Sequence, residues 1–242
     1  MNFSLLSIMK RTGSLYVALI TLTILMMVLS VSLVSAQTTT PAQTKEQYKE
    51  VIAKRADKIV AALGITDSVL YKKVSAVVAD QYIALSSIHD TRNAKIKEIK
   101  TKDSVLTDKD KAEIEKLTAE ADKDLEKLHA KYLAKLGKLC TPEQVEGIKN
   151  GMTYNVLNVT MTAYNEMLPH LTPEQKKQIL DWLTEAREHA MDAESSDKKH
   201  AWFGKYKGRI NNYLAKAGVD MKAAEKEWME RIKAKKEAAK QS

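Results

Sequence analysis

The sequence predicts an all-α protein, a bundle of six to seven helices with long antiparallel members and no sheet. Lys, Glu, Ala and Leu recur at helical spacing, and no segment has the alternation of apolar and polar residues that is typical of a strand. Two identical Thr-Pro-Glu-Gln segments are strong helix starts. Because the single cysteine, Cys140, cannot form an internal disulfide, a hydrophobic core must stabilise the fold.

The N-terminal segment, residues 1–36, has the organisation of a secretory signal peptide. Lys10 and Arg11 precede an apolar run, and small residues precede Ala36. This order predicts cleavage after Ala36 and a periplasmic or secreted protein without a stable membrane span. The alternative is an uncleaved anchor, because residues 12–44 carry no charge and the apolar run approaches the roughly 20 residues that a span needs.

The charge of the exported chain indicates which partners to expect. The whole sequence has a formal charge of +8, and removal of residues 1–36 takes away Lys10, Arg11 and no acid, which leaves +6. This charge is spread along mixed Lys/Glu helices. An exported protein meets little nucleic acid, so we expect no nucleic-acid partner and favour a glycan or another anionic ligand.

A polar tether, residues 37–44, is predicted to be disordered and to precede a single helical domain, residues 45–242. The first helix is predicted to run to residue 63 and to stop at Gly64. The second starts behind Thr66-Asp67 and runs to about Lys100. The third, residues 108–139, follows a polar turn and has apolar residues at every third or fourth position.

The Thr-Pro-Glu-Gln segments begin the fourth and fifth helices. Each places Thr at the N-cap, Pro at the first helical position and Gln two positions later, so that Thr and Gln satisfy backbone donors reciprocally. The fourth helix is predicted from Thr141 to Leu168 and is apolar around most of its circumference, so we expect it in the middle of the bundle. The fifth is predicted from Thr172 to about Ala193. Two more helices follow, at 200–218 and 220–240.

The helix that starts at His200 has three distinct sides. An aromatic arc lies beside a polar strip, and Gly204, Gly208 and Ala215 form a flat side that lets another backbone approach. Aromatic faces stack on sugar rings, while Arg and Asn supply directional hydrogen bonds, so the helix predicts a site for an anionic or polyhydroxylated ligand. The alternative is a core helix with a solvated edge. The predicted lining residues are His200, Trp202, Lys205, Tyr206 and Arg209.

Several polar residues fall where the other helices should be apolar. Arg92 and Arg187 lie on apolar arcs, with His89 and His189 nearby, and Asn155 lies at the edge of another arc. A buried Arg must be paired, because its guanidinium does not lose its proton. Two hypotheses stay open. These residues complete the ligand site, or they form ion pairs that fix the register of the helices.

The sequence lacks the patterns of familiar catalytic sites. It contains no Gly-Xaa-Ser-Xaa-Gly elbow, no His-Glu-Xaa-Xaa-His pair and no Gly-rich phosphate loop. We therefore predict no catalytic residue, no metal site and no cofactor. The predicted function is non-catalytic binding of a ligand such as a glycan fragment, and the alternative is an unrecognised carbohydrate-active enzyme.

Four stretches are specific enough to support a family resemblance. They are Ile88-His89-Asp90 with Arg92-Asn93, then GMTYNVL at 151–157, MLPHLTPEQ at 167–175 and AREHAMDAESSDKKHAWFGKYKGRINNYL at 186–214. In these stretches the chain resembles an uncharacterised bacterial family of exported all-helical proteins, classed as a domain of unknown function. The resemblance implies an exported helical domain, with members often suspected of belonging to polysaccharide-utilisation systems. It implies no reaction and no catalytic residue.

A shorter stretch is similar to a different group of proteins. Residues 171–175, Leu-Thr-Pro-Glu-Gln, fit the Leu-Thr-Xaa-Xaa-Gln repeat of periplasmic chaperones of the envelope stress response. This similarity implies a second possible function, the shielding of unfolded client proteins. The sequence leaves the oligomeric state open.

Overall fold

The computed structural model describes residues 45–102 and 105–239, and within these ranges it contains eight helices and no strand. The predicted all-α class is therefore confirmed. The predicted signal peptide, its cleavage after Ala36 and the tether lie outside the described residues. Among the described helices none is long and apolar enough to cross a membrane. The bounds of the helices are α1 Lys45–Ala61, α2 Ser68–Lys102, α3 Asp108–Leu136, α4 Pro142–Met152, α5 Val156–Met167, α6 Pro173–Met191, α7 Ser196–Lys216 and α8 Met221–Ala238.

The two longest helices, α2 and α3, lie antiparallel. Residues 77–84 of α2 lie against residues 128–135 of α3, and residues 87–95 lie against residues 117–124. Helix α2 alone has 35 residues and is therefore roughly 50 Å long. This pair confirms the predicted long antiparallel members.

The predicted fourth helix, Thr141 to Leu168, is wrong in one respect, because it is two helices. Tyr154 and Asn155 both have a φ of 57°, in the left-handed region, and they separate α4 from α5. Just before the break, the Thr153 hydroxyl donates to the carbonyl of Lys149 at 2.8 Å at the end of α4. Asn tolerates the left-handed region better than most residues, whereas Tyr rarely enters it. The apolar periodicity continues across the break, so it did not reveal the division.

The predicted capping boxes are confirmed at both Thr-Pro-Glu-Gln segments. At the start of α4, the Thr141 hydroxyl accepts from the Gln144 backbone N–H at 3.3 Å, and the Gln144 side-chain oxygen accepts from the Thr141 N–H at 3.0 Å. Thr172 and Gln175 form the same pair of bonds at the start of α6. These bonds satisfy backbone donors that have no partner inside the helix.

Most of the buried apolar residues in the described ranges form two clusters. The first cluster contains residues of α1, α2, α3 and α4, with Met191 of α6, and includes Val60, Val78 and Ile148. The second joins α5 to α7 and includes Leu183 and Phe203. The break between α4 and α5 therefore lets one apolar segment serve two cores.

Close helix contact occurs at glycines other than those predicted. A Cβ added to Gly151 would lie 2.8 Å from Ile59 Cγ2, so this glycine lets α1 approach α4. The expectation of a close crossing at Gly204 and Gly208 is wrong. Both are exposed, and a Cβ at either would meet no atom of the described chain within 4 Å.

Candidate functional site

Arg187, near the C-terminal end of α6, is buried and fully paired. Its side chain is 2 % exposed, with Nη1 2.7 Å from Glu146 Oε2 and Nη2 3.1 Å from Glu188 Oε1. Nη1 also donates to Asn150 Oδ1 at 2.9 Å. These partners lie on α4 and α6, so Arg187 joins the two helices in the way that the ion-pair hypothesis expects.

His129 on α3 extends this ionic network to the end of α6. Its Nδ1 lies 2.8 Å from Asp192 Oδ2 and its Nε2 lies 3.3 Å from Glu188 Oε2. Hydrogen bonding to Asp192 and then to Glu188 raises the pKa of His129 to about 9. Burial opposes ionisation of Glu188, but hydrogen bonds from His129 and Lys149 lower its pKa to about 2. Both groups are therefore charged at neutral pH.

We expect the contribution of this network to stability to depend on pH. The pKa of His129 rises from 6.5 to about 9 on folding, so its contribution is complete below pH 6.5 and is lost as the pH rises through 9. The pKa of Glu188 falls from 4.5 to about 2, so its contribution is complete above pH 4.5 and is lost as the pH falls through 2.

Urea unfolding of the wild type and of His129→Gln measures the alkaline part of this dependence. The substitution is expected to lower the free energy of unfolding more at about pH 5.5 than at about pH 9.5. An equal loss at the two pH values would contradict the charged state assigned to His129.

Lys199 on α7 stabilises the C-terminal end of α6. Its buried Nζ donates to the carbonyl of Ala190 at 2.9 Å and to that of Met191 at 3.0 Å. A cation at this position satisfies carbonyls without an intrahelical partner and faces the negative end of the helix dipole. Burial lowers the pKa of Lys199 to about 8. The lysine is therefore a structural cap.

An open cleft of about 480 Å³ lies beside the network, between α2, α3, the end of α6 and the start of α7. We call it the Trp202 cleft. It brings together residues from helices that are far apart in the sequence. Its lining includes His89, Arg92, His189, Asp192, Glu194 and Trp202.

His89 has one ring nitrogen that lacks a hydrogen-bond partner in the described chain and lies 3.8 Å from Glu194 Oε2. The residue is 5 % exposed, and its Nε2 lies 2.7 Å from the carbonyl oxygen of Asp192. A carbonyl only accepts, so Nε2 must carry the proton, and Nδ1 of the neutral ring is then an acceptor. Nδ1 and Asp192 Oδ1 are both buried without a hydrogen-bond partner in the described structure. A ligand that donates hydrogen bonds would satisfy both atoms.

Trp202 supplies an aromatic surface at the rim of the cleft. Its ring stacks on that of His189 with centroids 4.4 Å apart and an interplanar angle of 15°. The ammonium of Lys205 lies 4.9 Å from the Trp202 ring centroid. The two contacts fix the orientation of the indole, which remains partly exposed.

The charges around the Trp202 cleft are mixed. Arg92 pairs with Glu194, and Asn93 donates to the same carboxylate at 3.1 Å. The hydrogen bond from Asn93 lowers the pKa of Glu194, and the nearby Arg92 adds to this effect. Asp122 and Glu126 also line the cleft. Carboxylates beside an aromatic ring favour an uncharged ligand with many hydroxyl groups over an anion.

A second cleft, of about 950 Å³, lies between α1 and the break that separates α4 from α5. We call it the basic cleft, because its charged lining residues are all basic. Its polar lining includes Lys54, Arg55, Lys58, Asn150, Asn155 and Asn158.

The structure divides the ten predicted site residues among several places. Asn155 lines the basic cleft, and His200 stacks on Tyr154 at its rim with centroids 5.5 Å apart. Arg209 lies over the Trp182 ring, away from both clefts. Tyr206 is buried in the second core cluster, Arg187 lies in the ionic network and Lys205 covers Trp202. The four that meet in the Trp202 cleft are His89, Arg92, His189 and Trp202.

Sequence reasoning missed other residues of these sites. His129 and Lys149 lie on charge-rich helices where a Lys/Glu surface was the simpler interpretation. In the sequence, Arg55 and Lys58 resemble other exposed residues of a charged helix. In the structure they line a cleft together with three asparagines. Within the described ranges, no group of three or more His, Cys, Asp and Glu is arranged to hold a metal ion.

Comparison with known proteins gives the family of this chain. A comparison with curated proteins finds no match. Residues 49–234 match the family described as "Protein of unknown function (DUF3826)", which confirms the resemblance to a domain of unknown function. The matched range contains both clefts and the ionic network. The chain belongs to the DUF3826 family.

Proposed function

We propose that this protein is an exported, non-catalytic binding protein whose Trp202 cleft holds a polyhydroxylated ligand such as a glycan fragment. One observation carries the proposal. His89, Arg92, His189 and Trp202, from three helices, meet in one open cleft. The features of residues 1–36, a basic pair followed by an apolar run and small residues, support export.

The chemistry of the cleft suits sugar hydroxyls. His89 Nδ1 and Asp192 Oδ1 lack a hydrogen-bond partner in the described chain, with Glu194 Oε2 3.8 Å from His89 Nδ1, and a hydroxyl group can donate to either atom when the His89 ring is neutral. The ring faces of Trp202 are in contact with His189 and Lys205, and its exposed edge offers an apolar surface to the C–H groups of a sugar. The volume of about 480 Å³ lies within the range of roughly 300–1,000 Å³ that is typical of small-molecule sites.

Calorimetric titration with a panel of neutral oligosaccharides tests the proposal. We expect at least one to bind, and Trp202→Ala to weaken that binding by about 30-fold or more, since loss of an aromatic anchor costs about 2 kcal/mol. The matched control is Trp228→Ala, because Trp228 lies on α8, donates to Glu166 and lines neither cleft.

The outcome also separates this proposal from the chaperone alternative. Binding that survives Trp202→Ala would contradict the site assignment. Suppression of client aggregation at near-stoichiometric amounts, unaffected by Trp202→Ala and without glycan binding, would favour the chaperone function. Release of cleaved products from the panel would favour an enzyme.

A further inference from the structure

The basic cleft has a shape that the glycines of α4 create. A Cβ at Gly147 would lie 2.7 Å from Leu63 Cδ2, and one at Gly151 would lie 2.8 Å from Ile59 Cγ2. The helices α1 and α4 therefore touch at these points, and Tyr82 of α2 lines the space beside them. The result is a preformed cleft of about 950 Å³ with walls from three helices.

Two of the three cations that line this cleft are available to a ligand. Lys54 pairs with Glu50 at 2.8 Å on the outer side of α1. Arg55 and Lys58 form no ion pair with any residue in the described ranges. The guanidinium carbon of Arg55 instead lies 5.3 Å from the Tyr82 ring centroid, a cation–π contact that holds the group over the cleft. A cleft that focuses uncompensated positive charge attracts anions.

Two asparagine amides present donors at the same place. Arg187 donates to Asn150 Oδ1 at 2.9 Å, and Asn158 Nδ2 donates to Asn155 Oδ1 at 2.7 Å. In each case the hydrogen bond is accepted by the side-chain oxygen of the asparagine. The Nδ2 groups of Asn150 and Asn155 then have no partner within the described chain and remain as donors. Donors, not acceptors, are what the oxygens of an anion require.

Tyr154 provides a ring at the rim of the basic cleft. Its side chain is 51 % exposed, and its ring stacks on His200 at an interplanar angle of 9°. The left-handed backbone at Tyr154 and Asn155 places both side chains at the cleft, and at Tyr154 it costs about 1–2 kcal/mol. The unfavourable backbone conformation therefore occurs at the point where the two residues line one wall of the basic cleft.

We propose that the basic cleft is a second binding site, specific for an anionic sugar that carries a carboxylate, sulfate or phosphate group. Arg55 and Lys58 bind the anionic group. Asn150 and Asn155 donate to its oxygens or to neighbouring hydroxyls. Tyr154 stacks on the sugar ring. The site shares no lining residue with the Trp202 cleft, so it goes beyond the function proposed above.

Calorimetric titration at constant ionic strength with trigalacturonate, glucose 6-phosphate and inorganic sulfate tests this site and separates the three anionic groups. We expect a sugar anion to bind, and the double variant Arg55→Gln/Lys58→Gln to weaken its binding by at least about tenfold, because loss of one charge-assisted hydrogen bond has an effect of that size. The matched control, Lys72→Gln/Lys73→Gln, removes the same charge from the exposed surface of α2 and is expected to change the Kd less than about twofold.

A second variant, Asn155→Gly, removes one amide donor while glycine keeps the left-handed backbone without strain. Weaker binding of the anion in this variant supports the proposal. Three results would overturn it. They are equal weakening by Arg55→Gln/Lys58→Gln and by Lys72→Gln/Lys73→Gln, unchanged binding in all variants, and no binding of any probe. Trp202→Ala is expected to leave anion binding unchanged, and a loss there alone would assign the anion to the Trp202 cleft instead.

Discussion

Arg187→Ala is expected to lower the free energy of unfolding by about 3–5 kcal/mol, because the substitution removes the buried cation that pairs with Glu146 and Glu188 and leaves the amide oxygen of Asn150 without its donor. For a chain of this length, that loss corresponds to a fall in Tm of roughly 6–20 °C. Urea and thermal unfolding, followed by the far-ultraviolet circular dichroism of the helices, measure both quantities.

Arg209→Ala is the matched control for this prediction. Arg209 also lies near an acid, but its side chain is 56 % exposed and its Nη1 is 3.8 Å from Glu185. Exposed pairs of this kind contribute about 0–1 kcal/mol, so the control is expected to unfold almost as the wild type does. Equal stability of the two variants would contradict the structural role assigned to the ionic network.

Phe203→Ala is expected to cost about 3–5 kcal/mol, through lost apolar burial and the cavity that remains. Phe203 is 1 % exposed and packs in the second core cluster with Leu183 and Ile210. Trp202 is its neighbour in the sequence but lies partly exposed, so Trp202→Ala is expected to cost only about 1 kcal/mol. Unfolding curves of the two variants measure the difference.

This pair of substitutions also validates the binding experiments. A folded Trp202→Ala protein is needed before a loss of ligand affinity can be assigned to the cleft. If Trp202→Ala destabilised the protein as much as Phe203→Ala does, the indole would belong to the core and the cleft would lose its proposed aromatic surface.

The fold class follows from the sequence because helical periodicity and helix caps are local. The capping boxes at Thr141 and Thr172 depend on residues only three positions apart, and both are present in the structure. The break at Tyr154 is different. It requires two adjacent residues in the left-handed region, and an unbroken apolar pattern around Val156 and Leu157 hides it.

The sites were predictable only in part, because they depend on which helices become neighbours. The position of Arg187 on an apolar arc of its helix correctly predicted that it is buried. Its partner Glu146 lies 41 positions earlier in the chain, and helical periodicity does not indicate contacts over that separation. His89 and Trp202 were singled out by residue type, and the packing of α2 against the end of α6 brings them to one cleft. The basic cleft was missed because exposed Arg55 and Lys58 resemble any solvated helix surface.

The most direct test of a glycan site in the Trp202 cleft is a titration of the ¹⁵N-labelled protein with a neutral oligosaccharide, followed by amide and indole chemical shifts in NMR spectra. We expect saturable shifts of the Trp202 indole N–H and of backbone amides at His89, Ala193 and Glu194, with the exposed helix α8 unaffected. Shifts spread over scattered exposed apolar residues such as Val159 and Met229, with none at Trp202, would contradict a glycan site in the Trp202 cleft.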